Sequence, residues 1–154
     1  MPNTLESSAR KVATSKAWFG VVRAYNLCDA AMASQLAVLG LRVGEHEVLA
    51  NLMLNPGMTQ QALAKRCFVA KSGISMLLTR MEAQALLRRE ADTNDGRIKR
   101  LYLSTKGETL AQQTLAIQDA IVKRMMEPLS DDELASMTEL SERVAAQLGG
   151  ISEP

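Results

Sequence analysis

The residues best suited to chemistry in this sequence are short donors and cations, and they gather between positions 59 and 106. Ser72, Ser75 and Thr79 recur at helical spacing, with Lys71 and Arg80 beside them. Short hydroxyls let a helix approach a surface closely, while Lys and Arg meet phosphate oxygens or the acceptor edge of guanine. Thr59 and Gln60 add a hydroxyl and an amide upstream, and Arg97 and Lys99 add two cations just beyond an Asp95-Gly96 turn. Residues 59 to 106 hold ten Lys/Arg against four Asp/Glu, a balance of +6, and the remainder of the chain carries −5, so the formal net charge of +1 hides a strong polarity. A basic middle between acidic flanks suits a polyanion such as duplex DNA, with no membrane involved. The plainer reading of the same charges is a solvated helix face.

Catalysis lacks its parts. There is no glycine-rich phosphate loop, nucleophile elbow or paired-carboxylate motif, and His46 is the only histidine, so the chain does not read as an enzyme. A zinc site recruits several His or Cys, and neither a metal nor any other cofactor is expected. Cys28 and Cys67 stand 39 positions apart without metal spacing and read as reduced, buried thiols. Cys28 neighbours Asp29 rather than a cation, which leaves thiol-redox sensing through Cys28 as an alternative. No run of about 18 apolar residues occurs, and Met1 to Glu6 lacks a charged-then-apolar layout, so the expected location is cytoplasmic.

These residues need elements to hold them. Hydrophobic residues make up 47% of the chain but aromatics only 3%, and the abundance of Ala, Leu and Met predicts a mostly α fold. From Ser8 to Leu39 no proline intervenes, which predicts one long helix; at 1.5 Å per residue it spans over about 45 Å, more than one small domain covers. A second helix is predicted over Gly44–Leu54, ended by Asn55-Pro56-Gly57. Thr59 caps a short third helix. Ala70, Ile74, Leu77, Leu78, Met81 and Ala85 form the buried stripe of a fourth, turning Lys71, Ser72, Ser75, Thr79 and Arg80 outward. Leu87–Asp92 and Arg100–Ser104 flank a Thr93–Gly96 tip as a two-stranded hairpin, with Leu101 and Leu103 facing inward. Thr105 and Glu108 read as the capping box of a helix running to Met126, and Pro128 breaks it. Ser130 and Glu133 open a last helix, ending at Gly149-Gly150, with Leu134, Met137, Val144 and Leu148 inward. The order predicts a winged helix-turn-helix over residues 44–104 within a single domain of residues 1–154. Residues 8–40 and 105–149 supply dimerisation helices, because their apolar faces exceed what one lobe buries. A homodimer of this kind reads a pseudo-palindromic duplex.

The wing carries the most specific signal. Asp95-Gly96-Arg97-Ile98-Lys99-Arg100-Leu101-Tyr102-Leu103-Ser104-Thr105-Lys106-Gly107 resembles the wing signature of the MarR (multiple-antibiotic-resistance regulator) family, Asp-x-Arg, three residues, Leu-x-Leu-Thr-x-x-Gly. Met58-Thr59-Gln60-Gln61-Ala62-Leu63-Ala64 and Ser72-Gly73-Ile74-Ser75, closing with Met81-Glu82 and Leu86-Leu87-Arg88-Arg89, resemble its two motif helices. The resemblance implies a sequence-specific dimeric transcriptional regulator, a repressor released by a small aromatic acid or phenol. It also implies that Asp95 orients the wing arginine. Trp18, Arg23, Tyr25 and His46 are the candidate effector-binding residues, since they offer ring surfaces with polar tips and a partner for a carboxylate. Three positions depart from the family pattern: Ser104 stands for the usual Thr, Ala85 for a common Gly after the recognition helix, and His46 for Trp or Phe. A winged-helix interaction module without DNA binding is the competing function class, and it would be expected to lack the recognition-helix cations and Arg97, which are present.

Overall fold

A computed structural model of the chain describes residues 4–67 and 71–149. Six helices and a small sheet follow in the order α1 (Thr4–Ala37), α2 (Val43–Leu54), β1 (Met58–Thr59), α3 (Gln60–Arg66), α4 (Lys71–Ala83), β2 (Leu87–Ala91), β3 (Lys99–Leu103), α5 (Thr105–Met126) and α6 (Asp131–Gly149). Ala70 and Gly150 lie outside the described residues, as do the side chains of Lys71, Ser72 and Leu148. The mostly α, winged helix-turn-helix architecture is the one the sequence implies.

The sheet has three strands rather than two. Its order is β1-β3-β2, all antiparallel, with Met58 opposite Leu101 and Leu87 opposite Leu103. β1 is too short to show any alternation, so only the tertiary pairing reveals it. Leu101 and Leu103 point inward, beside Leu86, Leu87, Leu63, Ile74, Leu78 and Met81 from the strands and motif helices. Val48, Leu49 and Leu52 complete this core from α2.

α1 behaves differently along its length. Trp18, Val21, Tyr25, Cys28, Met32 and Leu36 follow one another at spacings of three and four, and so share a stripe. Met32 and Leu36 are buried, but Trp18, Val21 and Tyr25 stay more than 60% exposed in the protomer. The expectation that Met137 and Val144 of α6 face inward fails within one protomer, where they are 45% and 64% exposed. An amphipathic pattern marks which face is apolar, but not what covers it.

Two helix ends are closed by left-handed residues. α1 ends with Gly40 at φ +70°, its amide donating to the Ala37 carbonyl while the Leu41 amide donates to Leu36. α4 repeats the arrangement with Ala85 at φ +58°: Ala85 N–H donates to Glu82 and Leu86 N–H to Met81. Ala85 is therefore exposed and outside the helix, not part of the buried stripe, because its left-handed backbone turns the chain away. A Cβ in that conformation is strained, and glycine relieves it at some cost in unfolded-chain entropy. Ala85→Gly is expected to stabilise the protein by about 0.5–1 kcal/mol in urea denaturation. A neutral or destabilising result contradicts the strain.

The α5 cap also differs from expectation. Ser104, not Thr105, is the capping residue: its hydroxyl accepts from Gly107 N–H at 3.0 Å and donates to the Ala85 carbonyl at 2.7 Å. Thr105 is already helical. Ser104 thus ties the start of α5 to the exit of α4. The reciprocal box at α6 forms as expected, Ser130 N–H donating to Glu133 at 2.8 Å and Glu133 N–H to Ser130 Oγ at 3.3 Å.

Candidate nucleic-acid interface

The start of α3 and the loop between β2 and β3 meet at one cleft, to whose wall α4 contributes Ile74. Thr59 caps α3 with its hydroxyl accepting from Ala62 N–H at 3.2 Å, which fixes Gln60 and Gln61 in the first turn. Thr59, Gln60 and Gln61 line a cleft of about 490 Å³ together with Arg97 and Lys99 from the wing. Four of the residues singled out in the sequence are brought together here. Gln61 and Ile98, also on this cleft, were missed; an amide one residue after Gln60 was the available signal.

The wing loop is organised from within. Asp92 N–H donates to Ile98, and Ile98 N–H to Asp95. Asp95 Oδ1 accepts from Arg97 N–H at 3.0 Å and from its Nε at 3.1 Å. These bonds to Arg97, the side-chain one foremost, hold the Asp95 carboxyl below its usual range. A depressed carboxyl keeps its charge as pH falls until its own low value is reached, so the pair persists throughout the neutral and mildly acidic range. The Arg97 side chain is otherwise 93% exposed. At the loop's base Arg100 bonds Asp92 at 3.3 Å and the Gly57 carbonyl at 2.9 Å, joining the wing to the turn before β1.

On α4, Ile74, Leu78 and Met81 face the core, and Ser75, Thr79 and Arg80 lie on the outward side. Their polar atoms are not all free. Thr79 Oγ1 donates to the Ser75 carbonyl at 2.9 Å and accepts from Arg89 Nη2 at 3.1 Å. Arg89, on β2, also donates its backbone N–H to Glu82 Oε1 at 3.2 Å and sets its guanidinium 3.7 Å from Glu82 Oε2. The wing is thereby strapped to α4. Arg80 Nη2 bonds the buried Glu45 Oε1 at 3.2 Å, while Glu45 Oε2 accepts from Arg42 N–H at 2.8 Å at the start of α2. Arg80 is thus partly a tie to α2, although its side chain stays 45% exposed. Sequence reasoning missed both ties because the partners lie far apart along the chain. It also missed Met76, which is 77% exposed on α4 opposite the core stripe.

The proposed effector residues do not converge. Trp18, Arg23 and Tyr25 stand exposed on α1, whereas His46 is buried on α2 with Nε2 2.7 Å from Gln118 Oε1 of α5. A separate apolar groove of about 870 Å³ runs between α1 and α5, lined by Leu27, Cys28, Ala31, Ile117, Ile121 and Arg124 among others. None of the four expected residues lines it.

The two thiols occupy unlike surroundings. Cys67 is buried beside Asn51, and burial, reinforced by the Glu47 carboxylate against a weaker opposing pull from Arg66, pushes its thiol up to about 11. Only about a thousandth of it is thiolate at pH 8. In the folded protein Cys67 is expected to resist a thiol-specific reagent at that pH and to react once urea unfolds the chain; rapid labelling of Cys67 without unfolding contradicts this. Among the described residues no group of three or more His, Cys, Asp or Glu is placed to hold a metal. None of the described helices is long and apolar enough to cross a membrane.

Comparison with known proteins places this geometry. A family model for the MarR family matches residues 39–98. The transcriptional regulator HosA of Escherichia coli O157:H7 is 29% identical over 89 residues, 58% of this chain and 66% of that protein, so the alignment falls just short of two thirds of the relative's length. The solved structure of AbsC, a MarR family transcriptional regulator from Streptomyces coelicolor, superposes with a TM-score of 0.81 at 27% identity, over 88% of this chain and 94% of that one. Two more distant structures share the fold. One is a MarR mutant from E. coli complexed with operator DNA (TM-score 0.72, 21% identity, 80% and 89% covered), and the other is the Mycobacterium tuberculosis MarR family protein RV2887 in complex with salicylic acid (TM-score 0.64, 22% identity, 80% and 92% covered).

Proposed function

We propose that the chain is a member of the MarR family, whose model matches residues 39–98, and that it is a sequence-specific, dimeric DNA-binding regulator, acting as a repressor that a small aromatic acid or phenol releases from its operator. The relatives it matches are transcriptional regulators, not enzymes. The observation that carries the DNA reading is the convergence of Thr59, Gln60, Arg97 and Lys99 on one cleft, to whose wall α4 contributes Ile74. In this reading α4 enters the major groove, with Ser75, Thr79 and Arg80 toward the bases and phosphates. The start of α3 meets the backbone, and Arg97, oriented by Asp95, reaches the adjacent minor groove. Duplex binding measured across a salt series tests it. Counterion release requires affinity to fall steeply as salt rises, and weak binding that does not vary with salt would instead indicate a protein-interaction module.

The dimer is supported by the stripe on α1 that leaves Trp18, Val21 and Tyr25 uncovered above the buried Met32 and Leu36, and by the exposed apolar residues of α6. A second copy covers both, and a dyad of this kind demands half-sites about one helical turn apart. In this arrangement Trp18 and Tyr25 serve the interface rather than a ligand pocket. The effector reading is supported by the groove between α1 and α5, whose apolar walls suit an aromatic ring and whose Arg124 suits a carboxylate. RV2887 in complex with salicylic acid makes salicylate the first compound to titrate. An effector releases DNA only to the extent that it prefers the non-binding arrangement of the two lobes. Titration of salicylate against preformed complex, repeated on Arg124→Ala, Arg23→Ala and His46→Ala, assigns the site. Equal responses in all three variants exclude these residues, and if no aromatic acid acts, peroxide treatment tests sensing through Cys28.

A further inference from the structure

We infer that Met76 is a specificity-determining residue, reading one thymine per half-site through the C5-methyl group of the base. The inference rests on the DNA-binding reading above. Met76 lies on α4 opposite Ile74, Leu78 and Met81, so it projects from the middle of the face turned away from the core. It is 77% exposed, the only large hydrophobic side chain so exposed among the described residues of α4. Its polar neighbours are partly committed within the protein: the Thr79 hydroxyl donates to the Ser75 carbonyl and accepts from Arg89, and one nitrogen of Arg80 is bonded to Glu45. Where hydrogen-bonding groups are partly spent within the protein, shape and apolar contact carry a larger share of the discrimination among bases. In the major groove the one apolar feature that distinguishes a base is the thymine methyl. Methionine suits that contact, since an unbranched, polarizable side chain reaches further than Ser or Thr and adapts to the groove floor.

Duplexes are first selected from a random pool with the wild-type protein. Each thymine of the selected half-site is then replaced by deoxyuridine, which removes only the methyl group, and affinity is measured for the wild type and for Met76→Ala and Met76→Leu. Loss of one buried methyl corresponds to about fourfold in affinity. The expected result is that one uracil position in the half-site weakens wild-type binding about fourfold. Met76→Ala weakens binding to the thymine duplex by at least as much and shows no further loss at that uracil, whereas Met76→Leu retains sensitivity to it. Because Met76 is solvent-exposed, its substitution leaves the melting temperature unchanged. The inference is overturned if uracil is neutral at every position in the wild type, or if the same position stays sensitive in Met76→Ala. If no duplex is enriched from the pool, the DNA-binding reading fails and this inference fails with it. Enrichment followed by methyl-independent binding removes only the role of Met76.

Discussion

Replacing Arg97 by alanine is expected to lower affinity for a selected duplex by about 1–3 kcal/mol, a tenfold loss or more over most of that range. Arg97 is 93% exposed, and its only bonds among the described residues are to Asp95 within the same turn, so the folded protein draws almost nothing from it. Exposed ion pairs of this kind contribute little to stability. The melting temperature therefore stays within experimental scatter while affinity falls. Asp95→Ala should produce a smaller loss, because the cation remains but its orientation is freed. The measurement is fluorescence anisotropy on all three proteins at one salt concentration, with thermal denaturation alongside. Arg97→Ala binding like the parent removes the wing from the interface. A matching fall in stability means that the affinity loss reflects unfolding.

The opposite signature is expected at Gly107. This glycine is buried in the first turn of α5, where its amide donates to Ser104, and a Cβ there would run into the carbonyl oxygen of Leu86, which itself accepts from Ser104 N–H. The obstacle is backbone held by a hydrogen bond, not the end of a flexible side chain, so relief requires the exit of α4 and the start of α5 to separate. Gly107→Ala is expected to destabilise the protein by about 3 kcal/mol or more, at or beyond the top of the usual overpacking range. Urea denaturation followed by circular dichroism reads the change. A loss below about 1 kcal/mol would mean that the junction yields easily and that close packing between α4 and α5 is not required.

The contrast between these two positions also shows what was legible in the chain itself. Features settled within a few residues read correctly: the Thr59 and Ser130 caps, the alternation that turns Leu101 and Leu103 inward, and the Asp95-Arg97 turn all depend on neighbours in sequence. Where two local solutions compete, the sequence does not choose. Ser104 and Thr105 both offer a hydroxyl at the start of α5, and the choice falls to Ser104 because the Ala85 carbonyl, 19 positions away, is there to accept from it. The same distance effect hid Arg80. A cation on a polar helix face looks free until the buried Glu45, 35 positions upstream, is folded against it. β1 escaped because two residues carry no period, and the buried setting of His46 against Gln118 because their separation is 72 positions. The effector residues were chosen by chemistry alone, and chemistry without placement put Trp18, Arg23 and Tyr25 on an exposed helix and His46 in the interior.

The bonds from Arg89 to Thr79 and Glu82 have a consequence for the duplex rather than for the protein. They leave little play between α4 and the wing, so a duplex bound at both has to present its major groove and the neighbouring minor groove at one fixed separation and phase. Where that strap holds, the cost of fitting a poorly matched groove falls on the nucleic acid. That cost depends on how readily each base step bends, twists or narrows. Preference is then imposed on base pairs lying between the two contact points, which no side chain touches, and stiff or wide-grooved sequences are rejected there by their mechanics alone.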